Sequence, residues 1–169
     1  AICLKDAIKR AGISAHVMTA VPMAPFAENY SAEAAIKYLE AGEIVVFGAG
    51  LGIPFLSTDT TGAVRAREIN ADAMLMAKNV DGIYDSDPKT NPFAKKYEEL
   101  RYADIINRGL KVIDFTAATM CMENNVPTLA FGLNEENSIV RAVCGEKLGR
   151  SERTFKESHR SNPWSPRRD

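Results

Sequence analysis

Residues 50–66 read GLGIPFLSTDTTGAVRA. Glycines at 50 and 52 let backbone N–H groups come close to an anion, and Ser57, Thr58, Thr60 and Thr61 add hydroxyl donors beside them. Asp59 is the odd member. A carboxylate in such a loop repels phosphate unless a cation, Mg²⁺ or a lysine, lies between them, and that combination is the chemistry of phosphoryl transfer. The competing reading is that Asp59 or Thr60 simply caps a helix. The loop holds no Gly-Lys-Ser/Thr sequence and no GxGxxG, so it is neither of those glycine-rich phosphate loops.

A second constellation lies in MLMAKNVDGIYDSDP, residues 74–88, which offers Lys78, Asn79, Tyr84 and the acids Asp81, Asp85 and Asp87. Tyr84 is suited to lie against a purine base, and a nearby carboxylate to accept hydrogen bonds from a ribose. Asp81-Gly82 and Asp87-Pro88 are also ordinary turn pairs. Two such loops facing one crevice would make a two-substrate site.

Elements of alternating type must position these loops. Ile2, Leu4, Ala7, Ile8 and Ala11 recur at helical spacing and stop at Gly12, and SAEAAIKYLEAG predicts a helix capped by Ser31 and ended at Gly42. The runs SAHVMTAV, EIVVF, AMLMA and PTLAFG predict strands, EIVVF a buried one directly ahead of the first loop. Helices are expected from Thr60 to about Ala71, around YADIINRG, in DFTAATMCMENN with Asp114 as cap, and in NEENSIVRAVCG with Asn134 as cap and Gly145 as stop. Strand and helix in turn give an α/β fold of three layers, αβα, around a largely parallel sheet, with both loops at the carboxyl ends of strands, where such sheets bind ligands.

Composition narrows the class further. With 169 residues, 46% of them hydrophobic, the chain can bury the core of one α/β domain rather than two. A net charge of −1 gives no general attraction to nucleic acid or to an anionic membrane. No apolar stretch approaches the roughly 20 residues that cross a bilayer, so a soluble protein without a membrane partner is expected. Cys3, Cys121 and Cys144 lie far apart, which suits reduced, mostly buried thiols of a cytoplasmic protein. Two histidines, His16 and His159, argue against a His-based metal site or catalytic triad. Residues 1–149 are mildly acidic, whereas 150–169, RSERTFKESHRSNPWSPRRD, carry six Lys/Arg against three Asp/Glu without apolar periodicity. The tail reads as a disordered extension, with a nucleic-acid-binding arm as the alternative.

The stretch GLGIPFLSTDTTGAVRAREINADAMLMAKNVDGIYDSDP resembles the central signature of the bacterial uridylate kinases, members of the amino-acid kinase family, and LKVIDFTAATMCMENNVPTLAFGLNEENSIVRAVCGEKLG resembles their C-terminal segment. The resemblance implies an amino-acid kinase domain over 1–149 and transfer of a phosphoryl group from ATP to UMP with Mg²⁺. Leu51, Gly52, Ile53, Pro54, Phe55, Leu56, Ser57 and Thr58 would then line the UMP site. Asp59 would organise cations at the transferred group, Asp114 would stand near the same centre, and Lys111 would be a candidate cation. Lys78, Asn79, Tyr84 and Asp87 would hold ATP. Leu51 and Ile53 depart from the small or polar residues usual there, so no side-chain role is carried over to either. A homo-oligomer is implied, hexameric in that family, with nucleic acid not expected as a partner.

The family's opening strand with its lysine-bearing Gly loop, and its second Gly-rich loop with Asn and Arg, have no counterpart in 1–169. The chain is therefore expected to be the later two-thirds of such an enzyme, incomplete at the N-terminal side of its sheet and slower in transfer by several orders of magnitude. The alternatives are a non-catalytic nucleotide-binding remnant or another amino-acid kinase.

Overall fold

The computed structural model describes residues 1–79, 84–85, 90–95, 97, 99–110, 113–145 and 153–155. The chain divides into two compact units, Ala1–Thr61 and Gly62–Asp169.

The first unit contains α1 (Ile2–Arg10), β1 (Ala15–Thr19), β2 (Glu28–Asn29), α2 (Ala32–Glu40), β3 (Ile44–Gly48) and the start of α3 (Thr58–Glu68). Its sheet runs β2-β1-β3, parallel throughout, with β1 paired to β3 from Ala15 against Ile44 to Thr19 against Gly48. Flanked on both sides, β1 buries Ala15, Val17, Met18 and Thr19. The expected burial of EIVVF is not met: β3 is a strand, but it edges its sheet and is only half-buried. Ser31 caps α2, its Oγ accepting from the Ala34 N–H at 3.4 Å, and Gly42 leaves the helix at a φ of 77° that a side chain would resist. His16 on β1 stacks on Tyr38 with ring centroids 3.6 Å apart, and its Nε2 lies 2.5 Å from Glu43 Oε2, tying β1 to α2 and to the residue before β3. Helix α1 forms as its spacing predicts, yet none of its residues is buried.

The second unit holds the rest of α3, then β4 (Met74–Lys78), β5 (Glu99–Leu100), α4 (Tyr102–Arg108), α5 (Phe115–Glu123), β6 (Thr128–Gly132), α6 (Ser138–Val143) and β7 (Arg153–Phe155). Strand order is β4-β6-β7-β5; β4 runs parallel to β6 and β5 to β7, whereas β6 and β7 are antiparallel. Small residues let the helices sit close. Ala63 and Ala66 of α3 and Ala117 and Ala118 of α5 enter a core with Met74, Met76, Ile105 and Ala130, and a Cβ at Gly62 would come within 3.0 Å of Met74 Sδ. Tyr102 pins α4 into this core. Its hydroxyl donates to the Val126 carbonyl at 2.6 Å and lies 2.7 Å from Thr128 Oγ1, which in turn lies 3.8 Å from Cys121 Sγ. Burial pushes the Tyr102 phenol and the Cys121 thiol above their ordinary values.

Three local expectations are corrected. Helix α6 is entered from Asn137, at φ 54° and without a side-chain cap bond, because Ser138 first turns back to the Glu135 carbonyl; Asn134 is not its cap. Residues Arg153–Phe155 pair as a strand within the segment expected to lack structure. Of the cysteines, all free, only Cys121 is buried, while Cys3 and Cys144 are exposed. Among the described residues no helix is long and apolar enough to cross a membrane.

Candidate functional site

In the first unit the loop 49–57 leaves the carboxyl end of β3 and enters α3. Its path is built from left-handed residues: Ala49 at φ 62°, Gly50 at 61°, Gly52 at 73° and Phe55 at 67°. Gly52 N–H closes a turn onto the Ala49 carbonyl at 3.1 Å. A left-handed alanine and phenylalanine cost of order 1 kcal/mol each, strain of the kind that collects at ligand-binding sites. Phe55 is fully exposed and Ile53 is 60% exposed, so the loop offers apolar surface to whatever it meets.

The helix start resolves the role of the hydroxyls. Ser57 Oγ accepts from the Thr60 N–H at 3.0 Å, and the Thr61 hydroxyl donates to the Ser57 carbonyl at 2.9 Å. Ser57 is therefore the cap of α3, and the reading in which Asp59 or Thr60 fills that place is overturned. Thr60 is buried, and the hydroxyls of Ser57, Thr60 and Thr61 are all engaged at this helix start. Thr58 opens the helix with an exposed side chain, and Asp59 follows in its first turn, half-buried, where the helix dipole favours a negative charge.

In the second unit Lys78 ends β4 opposite Gly132, half-buried, with its carbonyl accepting from Leu133 N–H at 2.7 Å; Asn79 follows, exposed. Tyr84 is half-buried in a single bridging position. Asp85 is drawn into local structure, its Oδ1 accepting from the Lys95 N–H at 2.8 Å. Asp114 caps α5, accepting from the Ala117 N–H at 2.9 Å, as its position predicts. Asp81, Asp87 and Lys111 lie outside the described residues. Leu51 to Asp59 thus form one continuous segment of the first unit, while Lys78, Asn79, Tyr84 and Asp114 belong to the second. Sequence reasoning missed Ala20, which packs against Gly52; nothing in the local pattern signals a contact between residues so far apart in the chain.

The model of the amino acid kinase family matches residues 3–131, and the chain belongs to that family. Within it, the chain is 52% identical over 149 residues to a uridylate kinase of Streptomyces avermitilis, an alignment covering 88% of this chain and 59% of that protein. The crystal structure of the UMP kinase from Ureaplasma parvum superposes with a TM-score of 0.85 at 33% identity, over 92% of this chain and 66% of that one. The UMP kinase from Bacillus anthracis gives 0.84 at 34% identity, over 94% and 64%. The α/β fold of amino-acid kinase type expected from the sequence is met. The chain spans about three-fifths of the length of the curated relative it matches.

Proposed function

We propose that the chain is the nucleotide-binding part of a UMP kinase, transferring a phosphoryl group from ATP to UMP to give ADP and UDP. The observation that carries this reading is the 49–59 loop. A strained, left-handed main chain runs from the end of a parallel strand into a helix whose first turn bears a carboxylate, in a chain 52% identical to a uridylate kinase. Leu51 to Thr58 hold UMP, chiefly through the main chain, since Ser57 is committed to the cap and Leu51 and Ile53 bring no polar side chain. The positive end of α3 favours the phosphate there.

Lys78, Asn79, Tyr84 and Asp87 hold ATP. Asp59 organises positive charge around the migrating group and does not itself take a proton. Among the described residues no group of three or more His, Cys, Asp or Glu could hold a metal ion. The Asp59 carboxylate suits the other common arrangement, in which one or two protein carboxylates share Mg²⁺ with substrate phosphates. When bound, that ion neutralises charge on the phosphoryl oxygens. Asp114, whose carboxylate caps α5, belongs to the same charge-organising role in this reading. Assembly into a homo-oligomer and a cytoplasmic setting belong to the same reading.

Phosphoryl transfer decides it. The chain, alone and joined to the part of the uridylate kinase relative outside the alignment, is given ATP and Mg²⁺ with UMP, CMP, acetylglutamate or carbamate. UDP formation from the joined protein, with UMP the preferred acceptor, is expected; preference for a non-nucleotide acceptor overturns the proposal.

A further inference from the structure

Gly52 lies in the acceptor loop, but what limits it is Ala20, the residue after β1. A Cβ built at position 52 would lie 3.1 Å from the Ala20 carbonyl oxygen and 3.3 Å from the Ala20 Cβ. The two main chains are therefore packed closely, with only the Ala20 methyl group beside them. Ala20 is held firmly in that contact. Its N–H donates to the Gly48 carbonyl at 3.3 Å, and the preceding Thr19 is buried, with its carbonyl accepting from Tyr30 N–H at 2.9 Å and its Oγ1 donating to Val21 O at 2.9 Å. Gly52, for its part, is tied to Ala49. With Ala20 fixed in this way, a bulky side chain at position 20 bears on the loop rather than on β1.

We propose that Ala20 is a positioning residue for the acceptor loop: its small side chain and its carbonyl set how closely Gly52 approaches the end of β1, and with it the direction in which the loop main chain meets the nucleotide. The inference rests on the reading of this loop as the UMP site. Ala20 is half-buried, so the single hydroxyl of a serine there can turn away from the loop, whereas the two γ carbons of a valine leave one directed at the close approach of Gly52. A misplacement of about 1 Å can cost a reaction roughly a hundredfold in rate.

The test compares Ala20→Val with Ala20→Ser, which is nearly the same size as the parent. UMP and ATP are titrated by calorimetry, and the Gly50 and Gly52 amide signals are followed by NMR without ligand. Ala20→Val is expected to shift those signals and weaken UMP at least tenfold with ATP affinity unchanged, whereas Ala20→Ser stays within twofold of the parent on every measure. If Ala20→Val does not fold, Ala20→Cys, a smaller enlargement at the same position, takes its place and should give a smaller loss of UMP with ATP affinity unchanged and the same loop signals moved. Unmoved loop signals with unchanged UMP affinity overturn the proposal. Moved signals with unchanged UMP affinity overturn the placing of UMP on this loop, and a parent chain that binds no UMP overturns the functional reading; in both cases the loop signals still decide whether Ala20 positions the loop.

Discussion

Asp59 stands two residues after the cap of α3, and the distinction between the two positions separates charge from folding. Ser57 satisfies the Thr60 N–H, so Ser57→Ala is expected to cost about 1 kcal/mol of stability, seen as a lower thermal midpoint. Asp59→Asn keeps the shape of the side chain and removes its charge. If Asp59 has the role proposed above, the change should lower kcat in the joined protein by about a hundredfold or more while the KM for UMP changes little, since the charge would be needed as the phosphoryl group moves. An unchanged kcat would return Asp59 to a structural role. Asp114 differs in that its carboxylate already holds the start of α5, so one side chain there serves the fold whatever else it does.

At the scale of elements, the Tyr102 hydroxyl joins α4 to the chain entering β6. Tyr102→Phe removes the donor to the buried Val126 carbonyl and should cost about 1–3 kcal/mol, read as a fall in the urea midpoint with an unchanged slope. Nothing in YADIINRG announces that bond, since it links positions 24 residues apart. What is local was legible. Ser31 and Asp114 cap the helices that their positions predict, and SAHVMTAV, EIVVF, AMLMA and PTLAFG all contain strands. What depends on partners was not. The apolar run of β3 looks the same at an edge as at a centre, two-residue β2 and β5 carry no period, and Arg153–Phe155 take strand form only against β6 and β5. The candidate site divides the same way. The loop and its glycines could be read from residues 50–66, but its brace at Ala20 and the engagement of its hydroxyls needed coordinates.

The whole molecule responds to pH through its buried neutral acids. Folding holds Cys121 and Tyr102 protonated above their ordinary values of 9.0 and 10.0. Below pH 9 both states carry those protons and the contribution is complete; above it the unfolded chain releases protons that the folded chain keeps, so stability falls as pH rises. Urea midpoints measured from pH 7 to 11 should begin to drop near pH 9, and Cys121→Ala should move that onset toward 10.

The 49–57 loop stores its shape as handedness rather than as chemistry. Ala49, Gly50, Gly52 and Phe55 turn the main chain, while the exposed side chains of Ile53 and Leu56 have no polar atom to offer a nucleotide. A surface of this kind can drift in side-chain identity without changing what it recognises. Truncating its residues one by one to alanine would leave most of its information untouched, because that information lies in the backbone angles.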